Sequence, residues 1–148
     1  GRSLVLSGEE LEFGYRTSRI MKQDYIVVAV CLRLQKGERE DIAVKMEDFK
    51  RRRTTKQPLE YPSAGSTFKR PEGYFAGKLI QDTGLRGFAV GGAQVSEKHS
   101  GFVINKGGAT AEDVNRLMQE VSDRVYKKFG VRLEPEVRRL GDFGPKKD

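Results

Sequence analysis

The sequence predicts an α+β fold, and three observations carry that expectation. A helical apolar stripe runs through residues 111–128, with Val114, Leu117, Met118, Val121 and Val125 at i, i+3, i+4, i+7 and i+11. Strand-length apolar runs occur at 24–34, 88–95 and 101–105. The segment 131–138 alternates with period two, as a strand does.

Taken in order, residues 3–6 read as a short strand, and Ser7-Gly8-Glu9-Glu10 matches an S-x-x-E capping box with room for one helical turn. Residues 24–34 (DYIVVAVCLRL) are apolar almost without break, as in a strand buried on both faces, which makes Cys31 a core residue. Residues 39–53 read as a helix whose stripe is Ile42, Met46, Phe49 and Arg53, with Met46 and Phe49 facing a core. Its C-terminal end runs into the basic stretch 50–56, a placement that suits the helix dipole. Residues 57–73 hold three prolines and two glycines and read as a structured loop or domain junction.

Tyr74 to Asp82 reads as a short helix stopped near Gly84. Gly91-Gly92 separates two short strands, either as a turn or as a close approach to a phosphate. Thr110 is the expected N-cap of the long helix, with Asp113 three residues on, and Gly130 its stop. Residues 131–138 alternate with period two, Val131, Leu133, Pro135 and Val137 on one side and Arg132, Glu134, Glu136 and Arg138 on the other. Pro135 restricts this to an edge strand or a bulge.

Composition removes several function classes. One cysteine, Cys31, excludes an internal disulfide framework and a cysteine-rich zinc site, and one histidine, His99, argues against a protein-built metal centre. No run approaches the ~20 apolar residues of a membrane span, and a reducing, cytoplasmic setting is expected. The net charge of +7 points to an anionic partner without choosing among nucleic acid, a membrane surface and a phosphorylated small molecule. Gly1-Arg2-Ser3 leads almost at once into Leu4-Val5, the opening expected of a fragment or processed chain.

The candidate site residues each admit a plain structural reading. Ser66, in a glycine- and proline-bounded loop just before Lys69 and Arg70, is a turn former or a group able to give up a proton if nearby cations favour its alkoxide. Arg16, between Tyr15 and Thr17-Ser18, is a surface arginine or a planar fork for a carboxylate. Glu134 and Glu136 form a solvated charged face or a catalytic wall. The 50–56 run is a solvated helix end or a phosphate-binding stretch. As a nucleic-acid-binding module it lacks interleaved aromatics within the run for base stacking.

In order, FGYRTS at 13–18, RTTKQP at 53–58, SAGSTFKRP at 63–71, GGAQVSEKHSGFVIN at 91–105 and LEPEVRRLG at 133–141 resemble the motifs of the UDP-N-acetylenolpyruvoylglucosamine reductase family, in its shorter subclass. The resemblance implies a C-terminal, substrate-binding half of that enzyme. Residues 1–56 would finish the FAD-binding domain, 57–130 would bind the UDP-sugar, and 131–148 would return to the FAD-binding domain and tail. The implied reaction reduces an enolpyruvyl ether with FAD and NADPH. Arg16, Ser66 and Glu136 are its implied catalytic residues: Ser66 gives a proton to C2, Arg16 holds the carboxylate, and Glu136 assists. Lys56 would meet the diphosphate. Tyr15, Lys69, Arg70 and His99 would line the substrate, and Arg138 would lie beside the flavin. The implied partner is a UDP-sugar, with neither nucleic acid nor membrane, and the chain alone is expected to be inactive and colourless.

Overall fold

The longest helix is built as its pattern dictates. In the computed structural model, which describes residues 1–142, α4 spans Ala111–Phe129. Thr110 caps it through a reciprocal pair. Its hydroxyl accepts the Asp113 amide at 3.1 Å, and the Asp113 carboxylate accepts the Thr110 amide at 2.9 Å. Gly130 ends it at φ +68°, donating its N–H to the Tyr126 carbonyl at 2.8 Å. Leu117, Met118, Val121 and Val125 are all buried.

That stripe packs on a four-stranded antiparallel sheet. The strands are β1 (Ser63–Ser66), β2 (Ala89–Val90), β3 (Ala93–Val95) and β4 (Phe102–Asn105), in the order β1-β4-β3-β2. β2 and β3 form a hairpin turning at Gly91-Gly92, so the turn reading of that pair holds. A Cβ on Gly92 would lie 2.3 Å from the Gly107 carbonyl and 2.4 Å from the Ala109 amide nitrogen. A Cβ on Gly91 would lie 2.3 Å from the Asp113 carboxylate. The hairpin therefore presses against the segment that starts α4. Helix α3 (Ala76–Asp82) starts two residues later than expected, contacts α4, and adds Leu79 and Ile80 to the core with Leu85, Ala93, Val95 and Val103.

The chain divides into two compact units, residues 1–38 and 39–148. In the first, the Ser7–Glu10 box is present in a single turn. The Ser7 amide donates to Glu10 Oε2 at 2.8 Å and the Glu10 amide to Ser7 Oγ at 3.3 Å. α1 (Arg19–Lys22) follows. The expected strands at 3–6 and 24–34 are not formed, and Cys31 is exposed rather than buried. An apolar run becomes a strand only with a hydrogen-bonding neighbour strand, and no described strand pairs with either segment.

Three further expectations change in the second unit. α2 runs Arg39–Lys56, longer than predicted, and buries no residue; Met46 and Phe49 are exposed at 66% and 65%. The helix is held by its own charges instead, with Asp48 paired to both Arg51 and Arg52 at 2.7 Å, Glu40 and Asp41 in its first turn and Arg53 and Lys56 in its last. Part of the 57–73 loop is strand β1. The period-two segment 131–138 shrinks to one bridge, Pro135 with Phe68, although Leu133 is buried as its alternation requires. Pro135 is tolerated there because the bridge bonds are made by its neighbours Glu134 and Glu136, leaving no call for an N–H at residue 135. The tail expected at 145–148 lies outside the described residues.

Candidate active site

Ser66 closes β1 at an irregularity. The β1–β4 register shifts between Ser63, opposite Ile104, and Ser66, opposite Phe102. Gly65 sits inside the shift at φ +86°, the left-handed backbone of a glycine bulge. Ser66 is exposed, and the next residue, Thr67, is 2% exposed. The Thr67 amide donates to the Gly101 carbonyl at 2.9 Å, and its Oγ1 accepts the Val103 N–H at 2.9 Å.

The strand edge beyond Ser66 meets the C-terminal segment. The Glu136 amide donates to the Thr67 carbonyl at 2.9 Å, and the Lys69 amide to the Glu134 carbonyl at 2.8 Å, flanking the Phe68–Pro135 bridge. The Lys69 ammonium and the Glu134 carboxylate form an ion pair beside it. Residues 66–69 and 134–136 thus lie side by side, and half-buried Glu136 is tied to the residue next to Ser66.

The other predicted residues are distributed as follows. Arg70 lays its guanidinium 4.0 Å over the Phe75 ring and donates Nε to the Tyr74 carbonyl at 3.3 Å. His99 is half-buried: Nδ1 accepts the Gly101 N–H at 3.1 Å, and the ring meets Phe102 edge-on with centroids 5.0 Å apart. Gly77 and Gly101 leave room for it, since a Cβ on either would come within 3.4 Å of the imidazole. Lys56 is exposed at the end of α2, and Arg138 is exposed two residues beyond Glu136. Arg16 and Tyr15 belong to the first unit. They stand on a turn closed by reciprocal Gly14–Thr17 backbone bonds. Arg16 takes φ +56°, and its guanidinium is 5.4 Å from the Tyr15 ring centroid.

Three residues here were not singled out from the sequence. Lys98 donates Nζ to the Thr54 carbonyl at 3.0 Å and to Glu60 at 3.4 Å, fixing the end of α2 to the chain that follows it. Lys106 donates Nζ to the Tyr61 hydroxyl at 2.6 Å, a bond that raises its pKa. Both lysines carry an unremarkable sequence signal. Thr67 had a usable one, a β-branched hydroxyl directly after the Gly-Ser pair of a proline-bounded segment.

No group of three His, Cys, Asp or Glu residues among those described could hold a metal ion. No helix of the described residues is long and apolar enough to cross a membrane. Towards a flavin the second unit offers exposed Arg138, a cation suited to an anionic group.

Comparison with known proteins is consistent throughout. Residues 57–140 match the family model of the UDP-N-acetylenolpyruvoylglucosamine reductase C-terminal domain. The reductase of that name from Lachnoclostridium phytofermentans is 62% identical over 142 residues, covering 96% of this chain and 46% of the relative. The one from Clostridium perfringens strain SM101 is 61% identical over 136 residues, covering 92% and 45%. The crystal structure of UDP-N-acetylenolpyruvylglucosamine reductase from Thermus caldophilus superposes with a TM-score of 0.69 at 39% identity, covering 86% of this chain and 46% of that one. The chain therefore spans about half the length of the relatives it matches. A domain-length match together with close relatives over nearly the whole chain means that this protein belongs to the UDP-N-acetylenolpyruvoylglucosamine reductase family, within its C-terminal region.

Proposed function

We propose that this chain forms the substrate half of a flavin-dependent reductase that converts UDP-N-acetylglucosamine enolpyruvate to UDP-N-acetylmuramate with NADPH, in peptidoglycan precursor synthesis. The observation that carries the reading is the pairing of residues 67–69 with 134–136, which sets Ser66 and Glu136 at one strand edge although they are far apart in the chain. Family membership supports the same chemistry. No relative or contact favours the nucleic-acid alternative for residues 50–56, where Arg51 and Arg52 are paired with Asp48.

In this reading residues 57–130 bind the UDP-sugar, while 1–56 and 131–148 belong to the flavin-binding part. A flavin reduced by NADPH would, when bound, supply the hydride for C3 of the enolpyruvyl group, and Arg138 would help to hold it. The protein's residues manage the charge that follows. Negative charge spreads from C2 into the substrate carboxylate as C3 gains the hydride. Arg16 holds that carboxylate and stabilises the enolate as it forms, with Glu136 assisting. The Ser66 hydroxyl gives its proton to C2, and its oxygen is reprotonated from solvent afterwards. Lys56 holds the diphosphate, and Tyr15, Lys69, Arg70 and His99 orient the rest of the substrate.

The test is Ser66→Ala in a full-length enzyme made by joining this chain to the N-terminal half of the Lachnoclostridium phytofermentans relative. Flavin reoxidation by substrate should survive, while product formation falls by about 100-fold or more, the usual worth of a positioned proton donor. Unchanged turnover would remove Ser66 from the mechanism. The 148-residue chain alone is expected to be inactive and colourless; stoichiometric FAD bound to it would overturn the assignment of the flavin site to the longer protein.

A further inference from the structure

Thr67 makes more connections than a residue beside an active group needs. Its amide reaches the Gly101 carbonyl, its carbonyl takes the Glu136 amide, and its hydroxyl takes the Val103 amide, each at 2.9 Å. The hydroxyl bond has a specific cause. The β1–β4 register shifts between Ser63 and Ser66, and just past the shift a side chain, not the backbone alone, ties β1 to β4 at Val103. Val103 is 7% exposed, too dry for water to satisfy its N–H from outside. The Thr67 Oγ1 gives that buried N–H an acceptor inside the fold. The same residue then passes the constraint on: its carbonyl fixes the Glu136 backbone, and its own backbone carries Ser66.

We propose that Thr67 is a positioning residue, whose buried hydroxyl locks the Gly65–Ser66 bulge to β4 and so sets where Ser66 stands relative to Glu136 during proton delivery. This rests on the reading of Ser66 as the proton donor. Without the hydroxyl, the Val103 N–H loses that acceptor and β1 loses its side-chain tie to β4. The strand end then lifts away from β4, carrying Ser66 and the Glu136 backbone with it. A misplacement of about 1 Å at a reacting group costs on the order of 100-fold in rate.

The test compares Thr67→Val, which keeps the shape and loses the acceptor, with Thr67→Ser, which keeps the acceptor. In the full-length enzyme described above, Thr67→Val should lower kcat roughly tenfold or more. KM for the UDP-sugar and the rate of flavin reduction by NADPH should stay within about twofold of the parent, and the solvent isotope effect on turnover should rise as proton delivery becomes limiting. Thr67→Ser should restore kcat and the isotope effect. Equal turnover in Thr67→Val and the parent overturns the proposal, as does an equal loss in both variants. Ser66→Ala is assayed beside them. If it loses turnover while Thr67→Val does not, the positioning role alone falls; if it too keeps turnover, the proton-donor reading falls and takes Thr67 with it. Amide exchange in the 148-residue chain reads the lock without catalysis. Thr67→Val should speed exchange at both Val103 and Glu136 and leave Leu117 unchanged, while Thr67→Ser leaves all three protected. Acceleration at Val103 alone would show that the hydroxyl does not reach Glu136 and would overturn the proposal.

Discussion

Helices α2 and α4 are almost equal in length, at 18 and 19 residues, yet only one contributes to a core. α4 lays its stripe against β2 and β3, and Leu117, Val121 and Val125 lose all exposure. α2 carries Ile42, Met46 and Phe49 at helical spacing and buries none of them. A periodic pattern gives a helix a face, but the stabilisation comes from the surface that covers it. α2 persists in a different way, through ion pairs along one side and charges matched to both ends, each worth a few tenths of a kcal/mol.

Truncation draws the contrast most sharply. Leu117→Ala should destabilise the second unit by about 2–5 kcal/mol, the range for deleting a buried leucine. Phe49→Ala should change it by less than about 0.5 kcal/mol. Urea melts followed by circular dichroism would measure both, and a large loss from Phe49→Ala would mean that α2 has a covered face after all.

The next effect lies where α4 is seated. Gly92→Ala should cost about 1–3 kcal/mol, because the new Cβ would sit 2.3 Å from the Gly107 carbonyl, and backbone there has to move. A neutral outcome in the same melt would show that the hairpin does not fix the start of α4.

A smaller effect belongs to the cap. Thr110→Ala should cost about 1 kcal/mol. The Asp113 carboxyl is held below the usual aspartate range, chiefly by the Thr110 amide, with the Gly92 amide and Arg116 adding to it. A depressed pKa contributes stability that is present above the ordinary aspartate value and is lost as pH falls through the lower, folded-state value. Asp113→Asn should therefore flatten the acid limb of a plot of thermal midpoint against pH, with little change near neutrality in its slope. An unaltered acid limb would assign the loss to other carboxylates.

The sequence made α4, its cap at Thr110, its stop at Gly130 and the Gly91-Gly92 hairpin readable, because each depends on neighbours within a few residues. The 24–34 run and the α2 stripe were misread for one reason: hydrophobic patterning states a demand for a partner and is silent on whether one aligns. At the candidate site, Ser66 and Glu136 are proposed through motif resemblance rather than through physics, since nothing local tells a serine in a bulge from one in a turn. Thr67 was passed over because its importance comes from Val103 and Glu136, both remote in the chain.

The side-by-side run of residues 66–69 and 134–136 also carries a kinetic consequence. The Lys69–Glu134 pair closes a separation of 65 residues, whereas α4 and the β2–β3 hairpin need only nearby partners. Loop closure of that span comes late, since its entropy is lost before any contact repays it. Residues 134–136 therefore act as the latch of assembly, and the pulse-labelled amides of Lys69 and Glu136 should gain protection after those of α4.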